Sequence, residues 1–178
     1  SNWNVGNVTD MDWMFNNARA FNLDISNWEV GNVTNMCNMF RFTPAFNADI
    51  SNWNVSNVTN MVSMFQSADV FNSDISGWNV GNVTGMGSMF ENAVKFNSNI
   101  SNWDVSNVTN MSRMVNNAKL FKGNLSSWCV DPEPTHFDFR TRSGMSTDGS
   151  QDPKWGTCPT RSVTTLNYTV TVANTGYG

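Results

Sequence analysis

"SNWNVSNVTNMVSMFQSADVFNSDI" spans residues 51–75, and "SGWNVGNVTGMGSMFENAVKFNSNI", residues 76–100, follows it directly. Trp, Val, Asn, Thr, Met and Phe recur at the same places, so a 25-residue unit is being repeated and every other residue is read against it. Tryptophan sets the register. Trp3, Trp28, Trp53, Trp78, Trp103 and Trp128 fall 25 apart without an insertion, which puts six of the eight tryptophans in one column. The same offset aligns Val5 with Val30, Val55, Val80, Val105 and Val130, and Asn7 with Asn32, Asn57, Asn82 and Asn107. Ten of the eleven methionines, from Met11 and Met14 to Met111 and Met114, lie on the same grid. A chain organised around one catalytic site has no need of such repetition. A stack of coils does, because each coil must offer the next the same surface.

Two periods alternate within the unit. In "ISNWNVSNV", Trp53 and Val55 alternate with polar residues, the two-residue period of a short strand. In "TNMVSMFQSADVF", Met61, Met64, Phe65, Ala68 and Phe71 recur at the spacing of one helical face, and Thr59 and Asn60 stand where caps would be. Thr9 and Asp12 match a capping box in the first unit. The expected fold is therefore α/β: a leucine-rich-repeat-like solenoid with one short strand and one short helix per coil. The asparagine column reads as a structural ladder that hydrogen-bonds to the turn backbone of the neighbouring coil, alongside the tryptophan column.

Composition narrows the function classes. The 178 residues carry a net charge of -4 with 13% charged residues, and the scattered basic residues leave no footprint for nucleic acid. No run of about 18 apolar residues is present, so no membrane span is expected. The chain starts in mid-repeat without a signal peptide and reads as a mature or trimmed piece of something longer. Of the three cysteines, Cys37 sits in a repeat column and reads as a lone semi-buried thiol, whereas Cys129 and Cys158 lie beyond the last full repeat. A disulfide between these two would close a loop of about 30 residues, stabilise it by roughly 3 to 4 kcal/mol, and imply an oxidising compartment. Two cysteines and the single His136 do not make a zinc site, so no metal and no cofactor are expected. His136 is also without partners for catalysis, and the reading is that the chain is not an enzyme.

The unit W-x-V-x-N-V-T-x-M-x-x-M-F-x-x-A-x-x-F-N-x-x-I-S, carried through residues 1 to about 130, resembles the repeat of the BspA-like leucine-rich-repeat bacterial surface proteins. The resemblance implies a secreted, surface-displayed protein. The segment from "SSWCV" to "PKWGTCP" is similar to the non-repetitive ending that closes such arrays, and "LNYTVTVANTGYG" resembles the first strand of Ig-like surface-protein repeats. The organisation expected is a solenoid over 1–128, a disulfide-closed cap over 129–160, and a linker with a strand over 161–178.

Asn4, Glu29, Asn54, Asn79 and Asp104, pointing out of the strands, form the candidate binding face; a merely solvated sheet is the alternative. Asp24, Asp49 and Asp74 continue as Asn99 and Asn124, a column suited either to calcium or to local turn capping. The sequons at the Asn7 to Asn107 column read as a by-product of the ladder, and the Thr9 to Thr109 column as caps rather than an ice-binding face. Two functions remain. The first is an extracellular binding and adhesion module contacting a host protein, a glycan or a neighbouring cell. The second is a structural subunit of an extracellular fibre or surface layer, self-assembling through an open N-terminal coil and the C-terminal strand.

Overall fold

The computed structural model describes residues 3–159; the strand expected within 161–178 lies outside them. Six coils stack in register: coil 1 (3–25), coil 2 (26–50), coil 3 (51–75), coil 4 (76–100), coil 5 (101–125) and coil 6 (126–150). One line of parallel bridges joins them, Asp10 to Asn35, Asn60, Gly85, Asn110 and Thr135.

The coils are not α/β. Among the described residues there is no helix and no extended strand, so the leucine-rich-repeat solenoid expected from the sequence is incorrect. The reason lies in the left-handed residues. Ser63 (φ 55°) and Ser67 (φ 57°) interrupt what would be a helix over 61–71, and every coil repeats them, from Trp13 and Asn17 to Asp138 and Arg142. A helix bonds each N–H four residues back within its own turn. Here the N–H groups of Met61, Ser63, Phe65 and Ser67 cross instead to the carbonyls of Gly85, Gly87, Met89 and Glu91 on the next coil, at 2.8–2.9 Å. Between these crossings the chain makes a run of tight turns, Met64 N–H to Met61 O, Gln66 to Ser63, Ala68 to Phe65 and Phe71 to Ala68. A run of such turns returns to the core at intervals of three and four residues. The apolar spacing therefore matches a helix while the hydrogen bonding does not.

The expected strand fails for a related reason. Residues 52–55 lie between turns closed by Trp53 N–H to Ile50 O and Val58 N–H to Val55 O. Side chains, not a backbone ladder, join neighbouring coils there: the Trp53 indole donates to Ile25 O at 3.1 Å and Asn57 Nδ2 to Gly31 O at 2.7 Å.

The interior is a set of aromatic columns with methionine between them. Phe15, Phe40, Phe65 and Phe90 stack at 5.5–5.7 Å between centroids. Phe21, Phe46, Phe71, Phe96 and Phe121 form a second column at 5.4–6.1 Å. Within a coil the two columns touch, as in Phe65 and Phe71 at 3.8 Å. Met61, Met64, Phe65, Ala68 and Phe71 are fully buried. Complete burial of a Phe or Met side chain contributes about 1.5–3 kcal/mol, which makes these columns the main source of cohesion.

The ladder continues past residue 128. Met111, Arg113, Val115 and Asn117 donate to Thr135, Phe137, Phe139 and Thr141. Pro134 occupies the threonine column and has no N–H, so Thr135 supplies both the N–H and the hydroxyl to Thr109 O, at 3.0 and 3.3 Å. In coil 6 the inward positions turn polar: His136 stands in a methionine column and Arg140 in the phenylalanine column. Residues 143–159 cover them. Trp155 stacks on His136 at 4.1 Å and meets Phe139 edge-on at 5.1 Å, and Arg140 pairs with Asp152. The Cys129–Cys158 disulfide and the Val130 N–H to Thr157 O bond fasten the end.

Candidate functional site

The candidate face is exposed, and it runs as one line along the stack. Most of its polar atoms are engaged locally. Asn4 Oδ1 accepts from the Gly6 N–H at 3.1 Å, and Asn79 Oδ1 from Gly81 at 3.2 Å. Asn54 and Asp104 each accept both the N–H and the hydroxyl of the serine two residues on, Ser56 and Ser106. These are side-chain caps of tight turns. Glu29, one methylene longer, makes no such bond among the described residues. The sixth member of the column is Cys129, so the face ends at the disulfide, beside a groove of about 370 Å³ lined by Ser101, Asn102, Asp104, Ser127 and Cys129 among others.

The second acidic column behaves in the same way. Asp24, Asp49 and Asp74 accept from the N–H of Ser26, Ser51 and Ser76 at 2.9–3.0 Å, and Asn99 and Asn124 repeat the geometry with Ser101 and Ser126. The serine hydroxyls, and after them the serine N–H groups, hold all three carboxyls below the usual aspartate range. Among the described residues no three His, Cys, Asp or Glu side chains converge as metal ligands do.

The other columns are coil-to-coil ties. Asn32, Asn57, Asn82 and Asn107 donate Nδ2 to the carbonyl 26 residues earlier, each at 2.7 Å. Asn7 is exposed in coil 1. The indoles of Trp53, Trp78, Trp103 and Trp128 donate to Ile25, Ile50, Ile75 and Ile100 at 3.1–3.2 Å. Trp3 stacks on Trp28 at 5.9 Å, and Trp28 on Trp53 at 6.3 Å. The threonines cap no helix. From Thr34 onward each gives its N–H and hydroxyl to the carbonyl of the preceding threonine, as Thr59 does to Thr34 at 2.8 and 3.1 Å. Burial, and then the nearby Asp12 charge, push the Cys37 thiol up, so it is a poor source of thiolate.

One further ladder and one surface cluster were not foreseen from the sequence. Asn22, Asn47, Asn72 and Asn97 each accept, through Oδ1, the N–H found 25 residues on, at 2.7–2.9 Å; their 25-residue recurrence was the available signal. The cluster comprises Trp13, Arg41 and Phe42. Trp13 (φ 59°) and Phe42 (φ 56°) occupy the left-handed positions that the neighbouring coils give to Asn38, Ser63, Asn17 and Ser67. For a bulky residue that backbone costs roughly 1–2 kcal/mol, and the two side chains remain 49% and 40% exposed. The Arg41 guanidinium lies 5.6 Å from the Trp13 ring centroid and 4.6 Å from that of Phe42. Arg41 Nε donates to Gln66 Oε1 at 2.5 Å, and Gln66 Nε2 to Glu91 Oε2 at 2.6 Å, so a relay across three coils fixes the guanidinium. The signal in the sequence was that Trp13 stands off the tryptophan column.

Taken together, these features define a repeat protein of turn-built coils, tied by side-chain ladders and closed at one end by a disulfide. The chain belongs to the family described as Mycoplasma protein of unknown function, DUF285, which matches residues 1–93 and, in a second overlapping stretch, 49–138. No curated protein and no solved structure matches it.

Proposed function

We propose that the chain is an extracellular binding and adhesion module that contacts a protein or a polysaccharide, with the coil stack holding surface side chains in fixed positions. The observation that carries this reading is the Cys129–Cys158 disulfide at the closed end, since such bonds persist in oxidising compartments. A leucine-rich-repeat geometry no longer supports it. The rigidity of the ladders does, because a surface fixed before binding loses less entropy on contact. The test is to probe an array of extracellular-matrix proteins and glycans with the oxidised full chain. Saturable binding to at least one of them is expected; uniform failure to bind removes the reading. Thiol titration of unfolded, unreduced protein taken from its native cells should find one free thiol, Cys37, rather than three.

A further inference from the structure

We propose that Trp13, Arg41 and Phe42 form a binding site for an acidic segment of a protein partner, in which Arg41 takes a side-chain carboxylate and the groove beside Phe42 an adjoining apolar side chain. The inference rests on the reading of the chain as a binding module and names the surface it would use.

Three observations support it. The two rings stand in strained backbone and face solvent, where five other coils manage with other residues at each position. Backbone preference does not account for them, and strain of this kind concentrates at functional positions. The guanidinium is held over both rings by Gln66, and among the described residues its two Nη nitrogens make no hydrogen bond or ion pair. A planar fork of that kind pairs with a carboxylate through two parallel bonds. Beside Phe42, Arg19, Pro44, Ser67 and Asp69 complete a groove of about 190 Å³, room for one side chain. The groove wall carries Arg19 and Asp69 together, so its charges offset each other, while Phe42 and Pro44 supply its apolar surface; this places the acid at Arg41 and the apolar group in the groove.

The composition is that of a protein hot spot, where Trp, Phe and Arg are enriched. A glycan offers no apolar side chain for the groove that Phe42 and Pro44 line. The observations therefore favour a protein segment over an acidic glycan.

The test uses the oxidised full chain with 15N-labelled indoles, titrated with a 12-residue peptide alternating Asp and Leu, the same peptide with Asn for Asp, and polygalacturonate. The Asp peptide should shift the Trp13 indole resonance saturably and bind at least tenfold more tightly than the Asn peptide. Trp13→Asn combined with Phe42→Asn installs the residue type that Asn38 and Asn17 supply at these positions; it should weaken binding at least tenfold without lowering the melting temperature. Arg41→Lys, which keeps the charge and loses the fork, should weaken binding at least fivefold and guards against misfolding of the double variant. Equal binding of the two peptides, a response to polygalacturonate alone, or unchanged binding by the variants overturns the site. The protein and glycan array is read without reference to Trp13. A double variant that binds the array as the intact chain does would overturn this site and leave the module reading standing.

Discussion

The Trp78 indole Nε1 donates to the Ile50 carbonyl 28 residues earlier, at 3.2 Å, in a part of the coil where no backbone bond joins the neighbours. The side chain thereby does what a strand partner does in a sheet. Trp78→Phe keeps an aromatic ring in the column and leaves the Ile50 carbonyl only the Trp53 N–H as a donor. A loss of about 0.5–1.5 kcal/mol, the net worth of one hydrogen bond, is expected, read as a lower midpoint in chemical denaturation. An unchanged midpoint would show that water or a neighbour replaces the indole.

Ser88 distinguishes a turn-built coil from a helix by the sign of a substitution effect. Its φ is 55°, and its N–H donates to Ser112 O rather than to its own coil. In a helix, Ser88→Ala would stabilise and Ser88→Gly would cost up to about 1 kcal/mol. Here the order is expected to reverse, with Gly at least as stable as Ser and Ala less stable, because only Gly enters the left-handed region without strain. Thermal melts of the two variants decide it.

Removing the disulfide should act on one end of the stack. Cys129→Ser with Cys158→Ser opens a loop with a sequence separation of 29 and is expected to cost about 2–4 kcal/mol. In a stack whose coils contact only their neighbours the loss stays local. Hydrogen exchange should rise in coil 6 and residues 143–159, while coils 2 to 4 keep their protection. A uniform rise across all coils would show that the stack unfolds as one unit.

Asp148 sets an acid limit. The Ser150 N–H donates to its Oδ1 at 2.9 Å and the Ser146 hydroxyl at 2.7 Å, and these bonds, the Ser150 contribution being the largest, lower its pKa from 3.8 to about 2. A carboxyl whose folded pKa is depressed stabilises the fold above its unfolded value and loses that contribution as pH falls through the folded one. The Asp148 contribution is therefore present above about pH 4 and lost between about 4 and 2. An NMR titration should place its midpoint near 2. Asp148→Asn should flatten the stability profile across that window.

The repeat, its 25-residue period and its inward residues were legible in the sequence, because identical coils stacked in register must repeat their contacts residue by residue. The cysteine pair stood out by lying beyond the last full unit. Secondary structure was not legible, since the spacing of Met61, Met64, Phe65 and Ala68 is the same whether the chain winds as a helix or as successive turns. What separates the two is where each N–H finds its acceptor, and that acceptor lies on another coil. The left-handed Ser63 and Ser67 make sense only once the crossing bonds exist, a long-range fact that no local window contains. The surface followed the same division. The Asn54 and Asp104 column was visible as a pattern, but its service as turn caps, and the meeting of Trp13 with Arg41 and Phe42 from the next coil, were decided only when stacking brought residues 28 positions apart to one place.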